Sequence, residues 1–287
     1  ASEFVVEVQN DDKMLVYYPD YNTLKRYNSD GSIDLSFSVS GIGISNITHL
    51  TYLDSGSILM FGSFSSGNGS TSMQLLHPDG SVDLLFEAHE VIGVSEVKTK
   101  NNKIYCFDSN FIVDNHSVQG VCVFDYNGTL NNTFFDNTFN KDFDGAVYSF
   151  DVYPNGKILI GGDFSNYDNQ SNNNLIRLNA DGTLDNSFTS FDGAQNATVP
   201  MNNIVCLSDS KALISGTFLY NNYPVNNFFR IGNYSSNLQV YTTPSLTNCD
   251  GTVSVSQIST ETLTFVIEDI DSIPSVQNYA FFDNICS

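Results

Sequence analysis

The sequence predicts an all-β fold: a β-propeller of four-stranded antiparallel blades. Three observations carry this. One unit recurs along the chain, its turn glycines at 31, 80, 128 and 182 lying 49, 48 and 54 residues apart. Its apolar runs have the periodicity of strands. No window of the chain shows a helical period. A four-stranded unit of roughly 40–55 residues has the length of a propeller blade, and such a unit is stable only when stacked on its neighbours.

Each unit opens on an alternating run: "FVVEVQ", "ITHLTYL", "VSEVKT", "VYSFDVYP" and "MNNIVCL". An apolar burst follows: "MLVYYPDY" from Met14, "ILMFGSF" from Ile58, "IYCFDSNF" from Ile104, "ILIGGDF" from Ile158 and "ALISGTF" from Ala212. Short continuous apolar runs suit a strand covered on both faces. A turn element closes the unit: "NSDGSIDLSF", "HPDGSVDLLF", "DYNGTLNNTF" and "NADGTLDNSF", with a degenerate fifth, "GNYSSNLQVY", from Gly232. Asp-Gly between two β-prone runs is a strong hairpin signal. Gly161, Gly162 and Gly216 are expected where strands crowd or a bulge needs positive φ. Asp34 and Asp185 are expected to hydrogen-bond backbone beside the turn. Phe37, Phe86, Phe134 and Phe188 are expected to end the fourth strand and plug between blades.

The run "ILIGGDF … IRLNADGTLDNSF" resembles the delta-60 repeat of bacterial β-propeller proteins, and the resemblance covers about residues 1–241. The fourth copy is nearly a consensus unit. The first has lost its glycines, the third has Phe107 and Asp108 in their place, and the fifth has lost its Asp-Gly turn. The resemblance implies a fold and a binding scaffold, found in large secreted or surface proteins and in phage structural proteins. It implies no catalytic residues. Residues 242–287 lack the turn signature but keep three alternating runs, "TVSVSQI", "TLTFVIED" and "NYAFFDN". They read either as a divergent sixth blade or as a β appendage docked on a neighbour, with a slight lean to the blade.

Bulk chemistry narrows the function. With 11 Lys and Arg against 32 Asp and Glu, the formal charge is −21, which repels nucleic acid and anionic membranes. No stretch approaches the roughly 20 apolar residues of a membrane span. The N-terminal "ASEFVVEVQ" has no basic region followed by an apolar run. Cys106, Cys122 and Cys206 sit in apolar runs and read as small buried hydrophobes. Cys249 and Cys286 flank the last segment, and whether they pair is open.

Catalytic signatures are absent: no GxSxG, HExxH, P-loop or GxGxxG occurs. His49, His77, His89 and His116 are not at metal-ligand spacing. "NKDFDGA" offers Asp142 and Asp144, and "EDIDS" offers Glu268, Asp269 and Asp271, as weak Ca²⁺ candidates. Acidic turns in an acidic protein explain both as well, so no cofactor is expected. The more informative pattern is positional. The loops between second and third strands should all emerge at one end of the propeller, and they are rich in Asn, Ser, Gly and Tyr. Asn68, Asn115, His116, Asn166, Tyr167, Asp168, Tyr220, Asn222 and Tyr223 are the candidate partner-binding residues. Tyr rings supply rigid amphipathic surface and Asn adaptable hydrogen bonds. Turn residues filling surface loops would produce the same composition.

These readings lead to a non-catalytic binding or structural module. The expected setting is a virion exterior, such as a phage tail or fibre protein, its partners being other structural proteins of the assembly or a surface glycan or protein receptor. Oligomers fit this setting. A secreted bacterial surface adhesin is the alternative, and a glycan-active enzyme with carboxylates at the propeller axis is a third reading.

Overall fold

The computed structural model describes residues 4–53, 55–66, 69–172, 174–188, 201–207, 211–220 and 223–231, and further strands between 239 and 282, with strand backbone alone from Gly216 onward. The described elements are almost all antiparallel strands. Sheet 1 is β1 (Val5–Val8), β2 (Met14–Tyr18) and β3 (Thr23–Tyr27). Sheet 2 is β4 (Gly43–Tyr52), β5 (Ile58–Ser66) and β6 (Gly69–Leu76). In sheet 3, β7 (Val91–Ile92) and β8 (Glu96–Lys100) both pair with β9 (Lys103–Val113), which pairs with β10 (His116–Asp125). The helix α1 (Asn132–Thr138) follows. Sheet 4 is β11 (Ala146–Val152), β12 (Ile158–Asp163) and β15 (Leu175–Leu178), with a small hairpin, β13 (Asn166–Tyr167) and β14 (Gln170–Ser171), in its second loop. Sheet 5 is β16 (Met201–Cys206), β17 (Ala212–Tyr220) and β18 (Tyr223–Ile231). The remaining strands pair as β19 (Gln239–Thr242) with β20 (Val253–Ser256) and β23 (Phe281–Phe282), and as β21 (Phe265–Asp269) with β22 (Ser272–Gln277).

Sheets 1, 2 and 4 are therefore three-stranded meanders, one strand short of the expected four, and sheet 3 reaches four only because β7 and β8 share the place of the first strand beside β9. The fourth strand shrinks to a single bridge: Tyr27 with Ile33, Leu76 with Val82, Phe124 with Leu130, Leu178 with Leu184. The next residue ends it. Asp34 N–H still reaches the Arg26 carbonyl, but Asp34 Oδ1 accepts from Ser36 N at 2.9 Å and bends the chain away. Asp185 does the same with Ser187. In the third repeat Asn131 holds this position. Its side chain accepts from Phe134 N at 3.0 Å, a helix N-cap, so the chain enters α1. The helix, and Phe134 within it, correct the sequence expectation of strand there.

The Asp-Gly turns are built alike. Gly31, Gly80, Gly128 and Gly182 lie at φ +84 to +91, and each N–H donates to the carbonyl three residues back. Three of them also press on the preceding repeat. A Cβ on Gly128 would stand 2.2 Å from the Glu87 carbonyl oxygen, and one on Gly80 2.7 Å from that of Ser38. At Gly162 the reason is crowding, since a Cβ would meet the Ala146 carbonyl oxygen at 2.2 Å.

Register decides how the sheets stack. The period of two along a strand sends alternate side chains to opposite faces. On sheet 1, Leu15, Tyr17 and Leu24 pack against Ile58, Met60 and Leu76 of sheet 2. Leu59, Phe61 and Met73 of sheet 2 meet Ile104, Cys106 and Phe124 of sheet 3. Tyr105, Phe107 and Val123 of sheet 3 meet Ile158, Ile160 and Leu178 of sheet 4. Leu159 and Leu175 of sheet 4 meet Ile204, Ala212 and Ile214 of sheet 5. The leading face of one sheet always packs on the trailing face of the next. Cys106, Cys122 and Cys206 are buried free thiols in these seams, as the sequence suggested.

First strands lie beside first strands: β1 by β4, β4 by β8, β11 by β16. They do not pair, so their backbone groups need other partners. Side chains one repeat away supply them. Glu7 Oε1 accepts from Tyr52 N, Lys98 Nζ donates to the Phe150 carbonyl at 2.6 Å, Lys100 Nζ to the Val152 carbonyl, and Asp151 Oδ2 accepts from Cys206 N at 2.6 Å.

Candidate functional site

The turn after the third strand reverses the chain, so the connection to the next sheet leaves at the end where the loop between second and third strands emerges. The structure joins the two directly. Asp144, in the connection entering sheet 4, accepts from Ser165 N and Asn166 N at 2.8 Å each, and from Asn166 Nδ2 at 2.7 Å. The first of its causes being the Asn166 backbone bond, its carboxyl is held below the usual range. One repeat earlier the pattern recurs. Asp114, at the tip of the β9–β10 hairpin, accepts from Glu90 N at 3.1 Å and pairs with His89 Nδ1 at 2.6 Å.

Between Asp144 and the β13–β14 hairpin lies an open cleft of about 330 Å³, lined by Asn140, Asp142, Phe143, Asp144, Asn166, Asp168 and Asn169. Its floor is apolar. Phe143 is buried, edge-on to Phe164 and tilted on Tyr167, each at 4.7 Å between ring centroids. Its walls are polar. Asp168 sits 3.7 Å from Lys141 Nζ, and its N–H donates to the Asp142 carbonyl at 3.0 Å. The side chains of Asn140, Asp142 and Asn169 make no protein hydrogen bond among the described residues. Beside the cleft, Phe135 and Phe139 of α1 and its cap stack at 5.0 Å, and His116 stands edge-on to both at 5.8 and 5.3 Å.

The structure thus brings Asn166 and Asp168 together with Asp142 and Asp144, two groups the sequence treated separately. Asn115 and His116 are exposed at the neighbouring hairpin tip. Tyr167 is a correction: it is 2 % exposed, packed in the seam beneath the cleft, and burial drives its hydroxyl pKa up. A two-residue turn at Asp168 and Asn169, both at positive φ, reverses the chain and points the Tyr167 ring inward. Tyr220 and Tyr223 form the last register pair of the β17–β18 hairpin. Asn68 and Asn222 lie outside the described residues, as do Asp271, Cys249 and Cys286.

Of the Ca²⁺ candidates, Asp142 and Asp144 do not join a metal-ligand cluster among the described residues, and the side chains of Glu268, Asp269 and Asp271 lie outside them. Asp144 spends its carboxylate on three protein donors, and among the described residues no three His, Cys, Asp or Glu side chains come together as metal ligands.

Another constellation escaped the sequence reading. Asp34 Oδ2 takes Arg26 Nε at 2.8 Å and Lys13 Nζ at 3.0 Å, and Asp185 Oδ2 takes Arg177 Nε and Lys157 Nζ at 2.7 Å each. Arg26 also donates from Nη1 to the Pro78 carbonyl in the turn of the next repeat at 2.6 Å, and lies over the Phe37 ring at 4.8 Å. Arg177 lies over Phe188 at 4.7 Å. Bonds from Ser36 and Lys13 hold the Asp34 carboxyl well below its ordinary range, outweighing burial. At Asp185 burial is the largest single influence, yet Lys157, Ser187 and Arg177 together override it. Each is a lock within a repeat, and Arg26 extends the first one to the next repeat through Pro78. A signal was present: the chain has three arginines, Arg26, Arg177 and Arg230, and each pairs in register with the second residue of its burst, Leu15, Leu159 or Leu213.

One family model matches two segments of the chain. A family model for a domain of unknown function, DUF5122, described as a beta-propeller, matches residues 9–37 and 154–188. These are the first and fourth repeats, the two that carry the lock. The match supports a β-propeller family. Similar solved structures include a protein of unknown function from Bacteroides caccae, 14 % identical over 78 % of this chain and 82 % of that one, with a TM-score of 0.36. Another is virginiamycin B lyase from Staphylococcus aureus, 9 % identical over 88 % of this chain and 90 % of that one, with a TM-score of 0.32. No curated protein sequence matches the chain.

Proposed function

We propose that this chain, built from β-propeller repeats of the delta-60 kind, is a non-catalytic recognition module that binds a surface glycan at its loop end. The observation that carries the reading is the cleft. Asn140, Asp142 and Asn169 line it with hydrogen-bonding groups the protein leaves unspent, and the Phe135–Phe139–His116 cluster stands beside it. Sugars offer hydroxyls to such carboxylates and amides, and C–H faces to aromatic rings. The carboxylates of the described first strands weigh against axial catalysis, because Glu7 and Asp151 already serve backbone N–H groups and Glu96 pairs with Lys98. The setting proposed with this function is a virion exterior, with a secreted bacterial adhesin as the alternative.

A glycan array probed with the full chain tests the reading. Wild type is expected to bind a defined set of glycans and return them unshortened by mass spectrometry. The Asp142→Ala/Asn169→Ala variant should lose about tenfold to a hundredfold in affinity, the scale of hydrogen bonds to charged and polar partners. Cleavage of the glycan, or equal binding by the variant, contradicts it.

A further inference from the structure

Two turns of the chain carry the same labile chemistry under different restraint. Asn127–Gly128 and Asn155–Gly156 are asparagine–glycine pairs. Asparagine is a thermally labile side chain, and a glycine N–H, with no Cβ beside it, is the least hindered backbone nucleophile toward the amide that precedes it. The local geometry of the two turns matches. Gly128 and Gly156 lie at φ +90 and +83. Gly128 N donates to the Asp125 carbonyl and Gly156 N to the Tyr153 carbonyl, each at 2.9 Å. Asn127 Oδ1 accepts from Thr129 N at 3.2 Å, and Asn155 Oδ1 from Lys157 N at 3.1 Å. Both asparagines are exposed. A third pair, Asn68–Gly69, has its asparagine outside the described residues.

What differs is the neighbour. The Asn127 carbonyl accepts from Glu87 N at 2.8 Å, and a Cβ on Gly128 would stand 2.2 Å from the carbonyl oxygen of that same residue. The preceding repeat therefore grips the Asn127–Gly128 peptide itself. The Asn155 carbonyl accepts no hydrogen bond among the described residues. A Cβ on Gly156 would meet, among those residues, only the Ala180 Cβ at 3.1 Å. Asn101 Nδ2, from the preceding repeat, donates to the Pro154 carbonyl, one peptide further back.

We infer that Asn155 is a site of spontaneous deamidation with water as co-reactant, and that docking on Glu87 shields Asn127 from the same reaction. Gly156 N attacks Asn155 Cγ, and the new N–Cγ bond closes a succinimide. The Cγ–Nδ2 bond breaks, and the amide nitrogen leaves as ammonia with the proton released by Gly156 N. Water then opens the ring at either carbonyl to give aspartate or isoaspartate, with no change of oxidation state. Ring closure turns the Asn–Gly peptide about the asparagine Cα–C bond. That motion breaks the turn's own hydrogen bond at both sites, and at Asn127 the Glu87 bond as well, so the opening is costlier there. Either product adds one negative charge. Isoaspartate also adds a methylene to the main chain just ahead of Lys157, whose ammonium holds Asp185. The site is independent of any ligand at the loop end.

Incubation of the full chain at mildly alkaline pH, followed by peptide mass spectrometry, tests this. Chain unfolded in urea is run in parallel, so that each asparagine's folded rate is divided by its own unfolded rate and sequence context cancels. Asn155 is expected to convert in the folded chain, and its ratio should exceed that of Asn127 by about tenfold or more, the factor of one net hydrogen bond. Equal ratios at the two sites overturn the proposal. So does an Asn155 that persists in the folded chain long after the unfolded chain has converted.

Discussion

At the residue scale, the carboxylates divide by what they touch. Asp34 and Asp185 are nearly buried between a guanidinium and an ammonium, where removing one partner strands the other. Both carboxyls ionise at lower pH in the folded chain than in the unfolded one, where Asp titrates near pH ~4. Their contribution is thus fully present above that pH and is lost as pH falls through the depressed folded values. Acid titration followed by circular dichroism is expected to show wild type losing stability progressively below about pH 4. Asp34→Asn/Asp185→Asn should be less stable at neutral pH and flatter in acid. Tyr167 belongs to the same scale. Its burial against Phe143 in the seam between sheets 3 and 4 makes Tyr167→Ala a cavity mutation costing about 3–5 kcal/mol, measurable by urea denaturation. The sequence placed Tyr167 on the surface because a polar loop has no periodicity to show which side chain turns inward. The lock was legible in principle, since all the arginines share one repeat position. Its partner aspartate was read only as a backbone acceptor.

At the scale of elements, what is local was legible. Apolar bursts became second strands and the repeat glycines Gly31, Gly80, Gly128 and Gly182 became turns, because turn chemistry and a period of two need no distant partner. The departures depend on partners elsewhere. The fourth strand is cut short where Asp34 or Asp185 captures its own downstream N–H groups. The helix α1 forms where Asn131 caps it and Phe134 fills the seam between sheets 3 and 4. The turn glycines have unequal duties, which gives a paired prediction. Gly31 and Gly128 share a positive φ, but a Cβ at Gly31 meets nothing within 4 Å and one at Gly128 overlaps the Glu87 carbonyl. Gly31→Ala should cost about 1 kcal/mol of strain. Gly128→Ala should cost clearly more, because the preceding repeat must move. Thermal melts of the two variants check the order, and equal losses would mean that the turn does not dock.

At the scale of the whole molecule, stacking consumes most of the distinctive residues. Leading faces meet trailing faces, first strands are bridged by Glu7, Lys98, Lys100 and Asp151, and Arg26 ties the first repeat to the turn of the second. The end where loops and connections meet keeps unspent polar groups. The sequence expected the second loops at one end from topology, but it could not see that Asp142 and Asp144 would face Asn166 and Asp168 across one cleft, a pairing made only by the fold. The central claim is this separation of scaffold from site. The most direct measurement sets Tm beside glycan affinity, at a temperature where every variant is folded, for Asp34→Asn/Asp185→Asn and for Asp142→Ala/Asn169→Ala. The account predicts that the first variant loses Tm and keeps its affinity, and that the second keeps Tm and loses affinity. Loss of affinity in the first, or loss of Tm without loss of affinity in the second, would contradict it.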